Sequence, residues 1–102
     1  MLSTLESLFK LARERKNNPI DGSYTNKLLS DKTLSKNKII EEINELIEAV
    51  EKNTNKIHEA ADVFYHLIIY LEANEIKIEN VMEELNNRKK WVTMKIIFLQ
   101  KY

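Results

Sequence analysis

IIEEINELIEAVEK, residues 39–52, and KIHEAADVFYHLIIYLEAN, residues 56–74, are two apolar-periodic runs separated by Asn53-Thr54-Asn55. In the first, Ile39, Ile40, Ile43, Leu46, Ile47 and Val50 fall within one arc at about 100° per residue, the pattern of an amphipathic helix. In the second, Ile57, Ala61, Phe64, Ile68 and Leu71 form one stripe, and Val63, Ile69 and Tyr70 form another. A helix apolar on two sides is buried on two sides. The spacing therefore predicts a helix over about 34–52, a break at 53–55 and a central helix over about 56–74. Its second stripe, with Ile69, is expected to face another helix or a second subunit.

Working outward, Leu5, Leu8, Phe9 and Ala12 mark a first helix that Ser3 or Thr4 can cap and Asn17-Asn18-Pro19 ends. Pro19 to Gly22 reads as a turn, and Ser23-Tyr24-Thr25 as the cap of a short helix running to about Ser30. Asp31-Lys32-Thr33 links that helix to the next. Beyond the central helix, a joint at Asn74–Lys77 leads to a fifth helix, Ile78 to Lys90, with Val81, Met82 and Leu85 inward. The closing WVTMKIIFLQKY fits either a continued helix or a strand. The organisation expected is a helical domain over residues 1–90 and an apolar tail over 91–102.

Composition narrows the function classes. The chain has 102 residues, room for one domain, and its 16 basic and 16 acidic side chains cancel. No net charge draws it to nucleic acid or to an anionic membrane. With 0 cysteines, disulfides, thiolate zinc sites and cysteine nucleophiles are excluded together. One glycine and one proline are too few for a turn-rich β fold or a glycine-rich phosphate loop. No apolar run approaches the roughly 20 residues of a membrane span, and the start does not read as a targeting leader. An all-α, cytoplasmic domain is expected, helped by a second copy to bury its apolar surface.

From 41 to 51 there are five glutamates and no basic residue. Like charges one turn apart on a helix repel, so this clustering calls for a cation or another explanation. Glu42 and Glu45 are spaced by three, and so are Glu59 and Asp62 on the next helix. Spacing of three puts both members of a pair on one face. Two antiparallel helices can then aim four carboxylates into a common space, suited to magnesium, which takes oxygen ligands. An ordinary solvated acidic face competes for the first helix alone; carboxylates set in the mostly apolar second helix weigh against it. Glu48 and Glu51 diverge from this face and are read as solvent-facing. His66 shares the face of Glu59 and Asp62 and is read as a hydrogen-bonded structural histidine, while His58 is read as pointing elsewhere. Lys38, one turn before Glu42, and Lys27, after Gly22-Ser23-Tyr24-Thr25, are candidate cations for a phosphate.

The arrangement EExxE, thirteen residues, then ExxD on successive helices resembles the MazG-like all-α nucleotide pyrophosphohydrolases. More narrowly, the chain resembles the phosphoribosyl-ATP pyrophosphohydrolase family of histidine biosynthesis. The carrying blocks are Glu14-Arg15-Lys16 through Pro19 to the GSYT turn; Glu41-Glu42 with Glu45; and EAADVFYHL from Glu59 to Leu67. A looser fourth block runs from Ile78-Glu79-Asn80-Val81 through Glu84-Leu85 to Arg88. Ile40 stands where the family usually has glycine. Glu75 and Lys77 replace its usual glycine and capping residue, so that Asn74 is expected to take the left-handed turn.

The resemblance implies a MazG-like bundle of about five helices pairing as a homodimer through its central helices. It implies cleavage between the α and β phosphates of phosphoribosyl-ATP, giving phosphoribosyl-AMP and pyrophosphate. Glu42, Glu45, Glu59 and Asp62 would hold magnesium, and one of Glu41, Glu42 or Glu45 would take a proton from the attacking water. Arg15, Ser23, Thr25, Lys27 and Lys38 are the candidates for phosphate and ribose contacts. The cyclohydrolase of the following step, fused to this domain in many organisms, is expected on a separate chain. Two other readings compete: a house-cleaning nucleoside triphosphate pyrophosphohydrolase of the same superfamily, and a non-catalytic helical dimer with an acidic partner-binding face.

Overall fold

Five helices and no strand make up the described residues: α1 Leu2–Asn17, α2 Tyr24–Ser30, α3 Lys32–Lys52, α4 Lys56–Ala73 and α5 Ile78–Met94. The computed structural model describes residues 2–94, with side chains for 3–89. The fold is all-α, as the sequence pattern indicates. Of the tail expected over 91–102, the first four residues continue α5 and the rest lies outside the described residues.

The joints follow from local chemistry. Ser23 N–H donates to the Ile20 carbonyl at 3.1 Å across a turn that has Gly22 at φ 80°, a conformation suited to glycine. Ser23 then caps α2, its hydroxyl accepting from Asn26 N–H. Asp31 closes α2 and caps α3 at once, its carboxylate accepting from Leu34 N–H at 2.9 Å. That double cap leaves no linker, so α3 begins at Lys32 rather than Leu34. At its other end Asn53 takes φ 55°, and Thr54 N–H donates to the Ala49 carbonyl at 3.0 Å, a Schellman closure. The loop is only Asn53-Thr54-Asn55, which forces α3 and α4 antiparallel.

α4 is the centre, packed against α1, α2 and α3. Ala12, Leu28, Ile68 and Ile69 form the buried core, with Leu5, Leu8, Phe9, Leu29, Leu34 and Tyr65 packed against it. Ile69 is therefore not at an outer contact: it is 0 % exposed inside the single chain. The other stripe is covered only toward its C-terminal end, where Ile68 joins the core; Ile57 is 88 % and Phe64 55 % exposed. α3 differs from expectation in the same sense. Its buried face carries Ser35, Ile39, Glu42 and Ala49, while Ile40, Ile43, Ile47 and Val50 lie exposed beside it.

The α4–α5 joint corrects another expectation. Asn74 has φ −100°, and it is Glu75 that takes the left-handed turn at φ 59°. Ile76 N–H donates to the Leu71 carbonyl at 2.9 Å, which requires the residue before it to bend that way. α5 is held by its first turn, where both terminal guanidinium nitrogens of Arg13 donate to Glu79 at 2.8 and 2.9 Å. Further along, Val81 is half-buried, but Met82 and Leu85 are exposed rather than inward.

Candidate active site

Ten residues back from the loop flank Lys52 is Glu42, and ten forward from Lys56 is His66, so these two stand level across the α3–α4 pair. Glu45 comes level with Asp62 within a residue, and Glu59 follows one turn toward the loop. The acidic groups on α3, Glu41, Glu42 and Glu45, each offer an oxygen within 4.8 Å of the others. On α4, His58, Glu59 and Asp62 do the same.

Glu45 joins the two halves. Burial raises the Glu42 carboxyl above its ordinary pKa, and the neighbouring Glu45 adds to the rise while His66 opposes it. Burial and then Glu45 also raise Glu59. One oxygen of Glu42 and one of Glu59 are buried with no hydrogen-bond partner. Buried carboxylate oxygens without donors are costly, and a cation placed among them removes the cost. Glu45 thus brings the carboxylates of α3 and α4 near one another, and two of their oxygens are buried without a hydrogen-bond donor. Glu48 and Glu51 are exposed on the outer side, Glu48 paired with Lys52 at 2.5 Å.

Behind the carboxylates lies a polar brace. His66 is buried; its Nδ1 donates to the Asp62 carbonyl at 2.9 Å, leaving Nε2 to accept from the Tyr24 hydroxyl at 3.2 Å. Tyr65 meets the same ring edge-on at 5.0 Å, and its hydroxyl lies 2.5 Å from that of Thr25. Thr25 is thereby buried, and its contact with Tyr65 seats α2 on α4. Arg15 donates to the Ser23 hydroxyl at 3.0 Å and braces the turn. Lys38 pairs with Glu41 at 3.2 Å at the rim, and Lys27 is exposed.

Tyr24 links two regions. Its hydroxyl pKa is raised, first by burial, and Lys38, Glu42 and Glu41 all act on it. The same residue lines an open groove of about 710 Å³ with Lys16, Pro19, Gly22, Ser23 and Lys27. The sequence pattern does not mark Tyr24, because a tyrosine after a turn carries no signal of what it touches. His58 is exposed, as a solvent-facing residue is, and its Nε2 lies 3.4 Å from an Asp62 oxygen one turn along the helix.

Residues 3–89 match the family model described as phosphoribosyl-ATP pyrophosphohydrolase. The chain belongs to the phosphoribosyl-ATP pyrophosphohydrolase family. Among its relatives, a phosphoribosyl-ATP pyrophosphatase of Clostridium novyi is 40% identical over 97 residues, covering 89% of this chain and 86% of that protein. One from Methanococcoides burtonii is 36% identical over 94 residues, 86% of this chain and 94% of the relative. The histidine biosynthesis bifunctional protein HisIE of Pyrococcus furiosus is 40% identical over 90 residues, 87% of this chain but 43% of that longer protein. No solved structure matches the chain. Every residue of the carboxylate cluster and its brace falls inside the stretch that matches the family model.

Proposed function

We propose that this chain hydrolyses phosphoribosyl-ATP to phosphoribosyl-AMP and pyrophosphate, the second step of histidine biosynthesis, using magnesium. Membership of the family supports the reaction. The observation that carries the site is the pair of orphaned carboxylate oxygens, on Glu42 of the α3 group and Glu59 of the α4 group, both carboxyls set against Glu45. This donor set, all oxygen on α3, fits a hard divalent cation.

Bound there by Glu42, Glu45, Glu59 and Asp62, magnesium would supply positive charge against the triphosphate and the leaving pyrophosphate. The protein's own groups do the rest. One of Glu41, Glu42 and Glu45 takes the proton of the attacking water as its oxygen bonds to the α-phosphorus. The bond from that phosphorus to the oxygen bridging toward the β-phosphate breaks, and pyrophosphate leaves with the electron pair. Lys38 at the rim and Lys27 on the groove supply cations for phosphate oxygens, while Arg15 and Ser23 hold the turn that presents them. Tyr24 forms the wall shared by groove and cluster.

The protein works as a cytoplasmic homodimer in this reading. Among the described residues, no helix is long and apolar enough to cross a membrane. A second copy would cover the face made by Ile40, Ile43, Ile47 and Val50 of α3 with Ile57 and Phe64 of α4, all exposed here. A contiguous apolar face of this kind marks an interface on a protein that stays in solution.

Turnover of phosphoribosyl-ATP compared with a panel of nucleoside triphosphates tests the proposal. Strong preference for phosphoribosyl-ATP is expected. Preference for a nucleoside triphosphate would make the chain a house-cleaning enzyme, and release from neither would leave a non-catalytic dimer.

A further inference from the structure

Phosphoribosyl-ATP differs from ATP by a second ribose 5-phosphate, joined to the adenine. An enzyme that selects it needs a place for that group, apart from the metal that meets the triphosphate. The open groove of about 710 Å³ lies in such a place, and its volume is that of a small-molecule site. The end of α1, the turn and α2 wall it, and none of Glu41, Glu42, Glu45, Glu59 and Asp62 lines it. Tyr24 is common to both regions. It lines the groove, while its hydroxyl lies 3.2 Å from His66 and in the field of Lys38, Glu41 and Glu42.

The polar side chains of the groove complement a sugar phosphate. Lys27 is exposed, and its ammonium has no partner among the described residues. Lys16 donates to the Glu72 carbonyl at 2.9 Å, which uses one of its three N–H donors. The half-buried Ser23 hydroxyl accepts from Arg15 at 3.0 Å and from Asn26 N–H at 3.3 Å. Its own proton is therefore left to donate, and the guanidinium polarises it. Asp21, also unpaired among the described residues, can accept from both hydroxyls of a vicinal diol. Solvated surface lysines are the plain alternative. What sets the groove apart from such a surface is that two ammonium groups, a spare hydroxyl proton and a carboxylate ring one concavity, which shares a wall with the metal cluster.

We propose that this groove binds the ribose 5-phosphate group of phosphoribosyl-ATP, with Lys16, Lys27 and Ser23 donating to the phosphate monoester and Asp21 accepting from the sugar diol. The groove then sets selectivity over ATP, which has no second sugar phosphate to fill it. The inference rests on the proposed hydrolysis of phosphoribosyl-ATP.

Ribose 5-phosphate itself is the probe, titrated into the full chain without divalent metal and followed by backbone amide NMR, with inorganic phosphate as a separate arm. A ligand of this size should bind wild type at about 1 mM. The shifts should centre on Asp21, Gly22, Ser23 and Lys27. Lys27→Gln should weaken binding by about fivefold or more, whereas Glu45→Gln, outside the groove, should stay within about twofold. Lys27 is exposed, so its substitution keeps the fold, which a thermal melt verifies. Inorganic phosphate should bind more weakly than the sugar phosphate. Shifts centred elsewhere, unchanged affinity in Lys27→Gln, or equal binding of inorganic phosphate overturns the inference. Turnover of phosphoribosyl-ATP by the same wild-type sample reads the reaction separately. Hydrolysis without groove binding overturns this inference and keeps the reaction; groove binding without hydrolysis keeps the sugar-phosphate site and overturns the reaction.

Discussion

The hydroxyl of Tyr24 lies 3.2 Å from Nε2 of His66, joining the first residue of α2 to the middle of α4. Because Nδ1 of the same ring is committed to the Asp62 carbonyl, the contact sets α2 against the backbone of a cluster residue. Tyr24→Phe removes only the hydroxyl and leaves Nε2 without its donor. A loss of about 1 kcal/mol is expected in urea unfolding. An unchanged midpoint would show that the brace does not hold α2.

Ile69 and Phe64 distinguish the inside of the chain from its outer face. Ile69→Ala should destabilise by about 2–5 kcal/mol, since it empties fully buried volume. Phe64→Glu should instead retain the fold and sediment as a monomer, because a charge would enter the face proposed to meet a second copy. A normal Phe64→Glu dimer would move the interface elsewhere.

At the α4–α5 joint, Glu75 holds φ 59°, a conformation that costs a residue with a Cβ roughly 1 kcal/mol. Glu75→Gly should raise stability by up to about 0.5 kcal/mol, the strain relieved less glycine's greater freedom in the unfolded chain. Thermal melting checks this; a drop would mean that the Glu75 side chain holds the joint.

Glu42 gives a pH signature. Its carboxyl titrates above its ordinary 4.5, through burial first and Glu45 second. A carboxyl whose folded pKa exceeds its unfolded one burdens the fold only when ionised. The burden is absent below the unfolded value and grows as pH rises through the folded one. Without metal, Glu42→Gln should therefore melt above wild type near neutral pH, with the difference vanishing at about pH 4. A gap that widens on acidification would reverse the sign and contradict the burial of this group.

The helices and the meeting of the four carboxylates were legible because both depend on local signals. Asn53-Thr54-Asn55 breaks the chain, and once the loop is short, counting from it brings Glu45 beside Asp62. What was hidden depends on distant contacts. The two stripes of α4 are equally apolar, and only the packing of Ala12 and Leu28 shows that Ile69 faces its own chain. Periodicity likewise located the apolar arc of α3, yet Glu42 is buried while Ile43 and Ile47 are not, because α4 and α2 cover the arc off-centre. The role of Thr25 was obscured in the same way: its hydroxyl meets Tyr65, forty residues on.

The most direct test of the central claim is pyrophosphate release from phosphoribosyl-ATP, with and without magnesium, by wild type, Glu45→Gln and Glu48→Gln. Glu45 stands between both halves of the cluster, whereas Glu48 points outward to Lys52. Wild type should require magnesium, and Glu45→Gln should fall below about a hundredth of its turnover, a loss of roughly 2.7 kcal/mol in transition-state stabilisation. Glu48→Gln should stay within about twofold. Equal effects from the two substitutions, or turnover independent of magnesium, would contradict a four-carboxylate metal site and leave only a diffuse acidic surface.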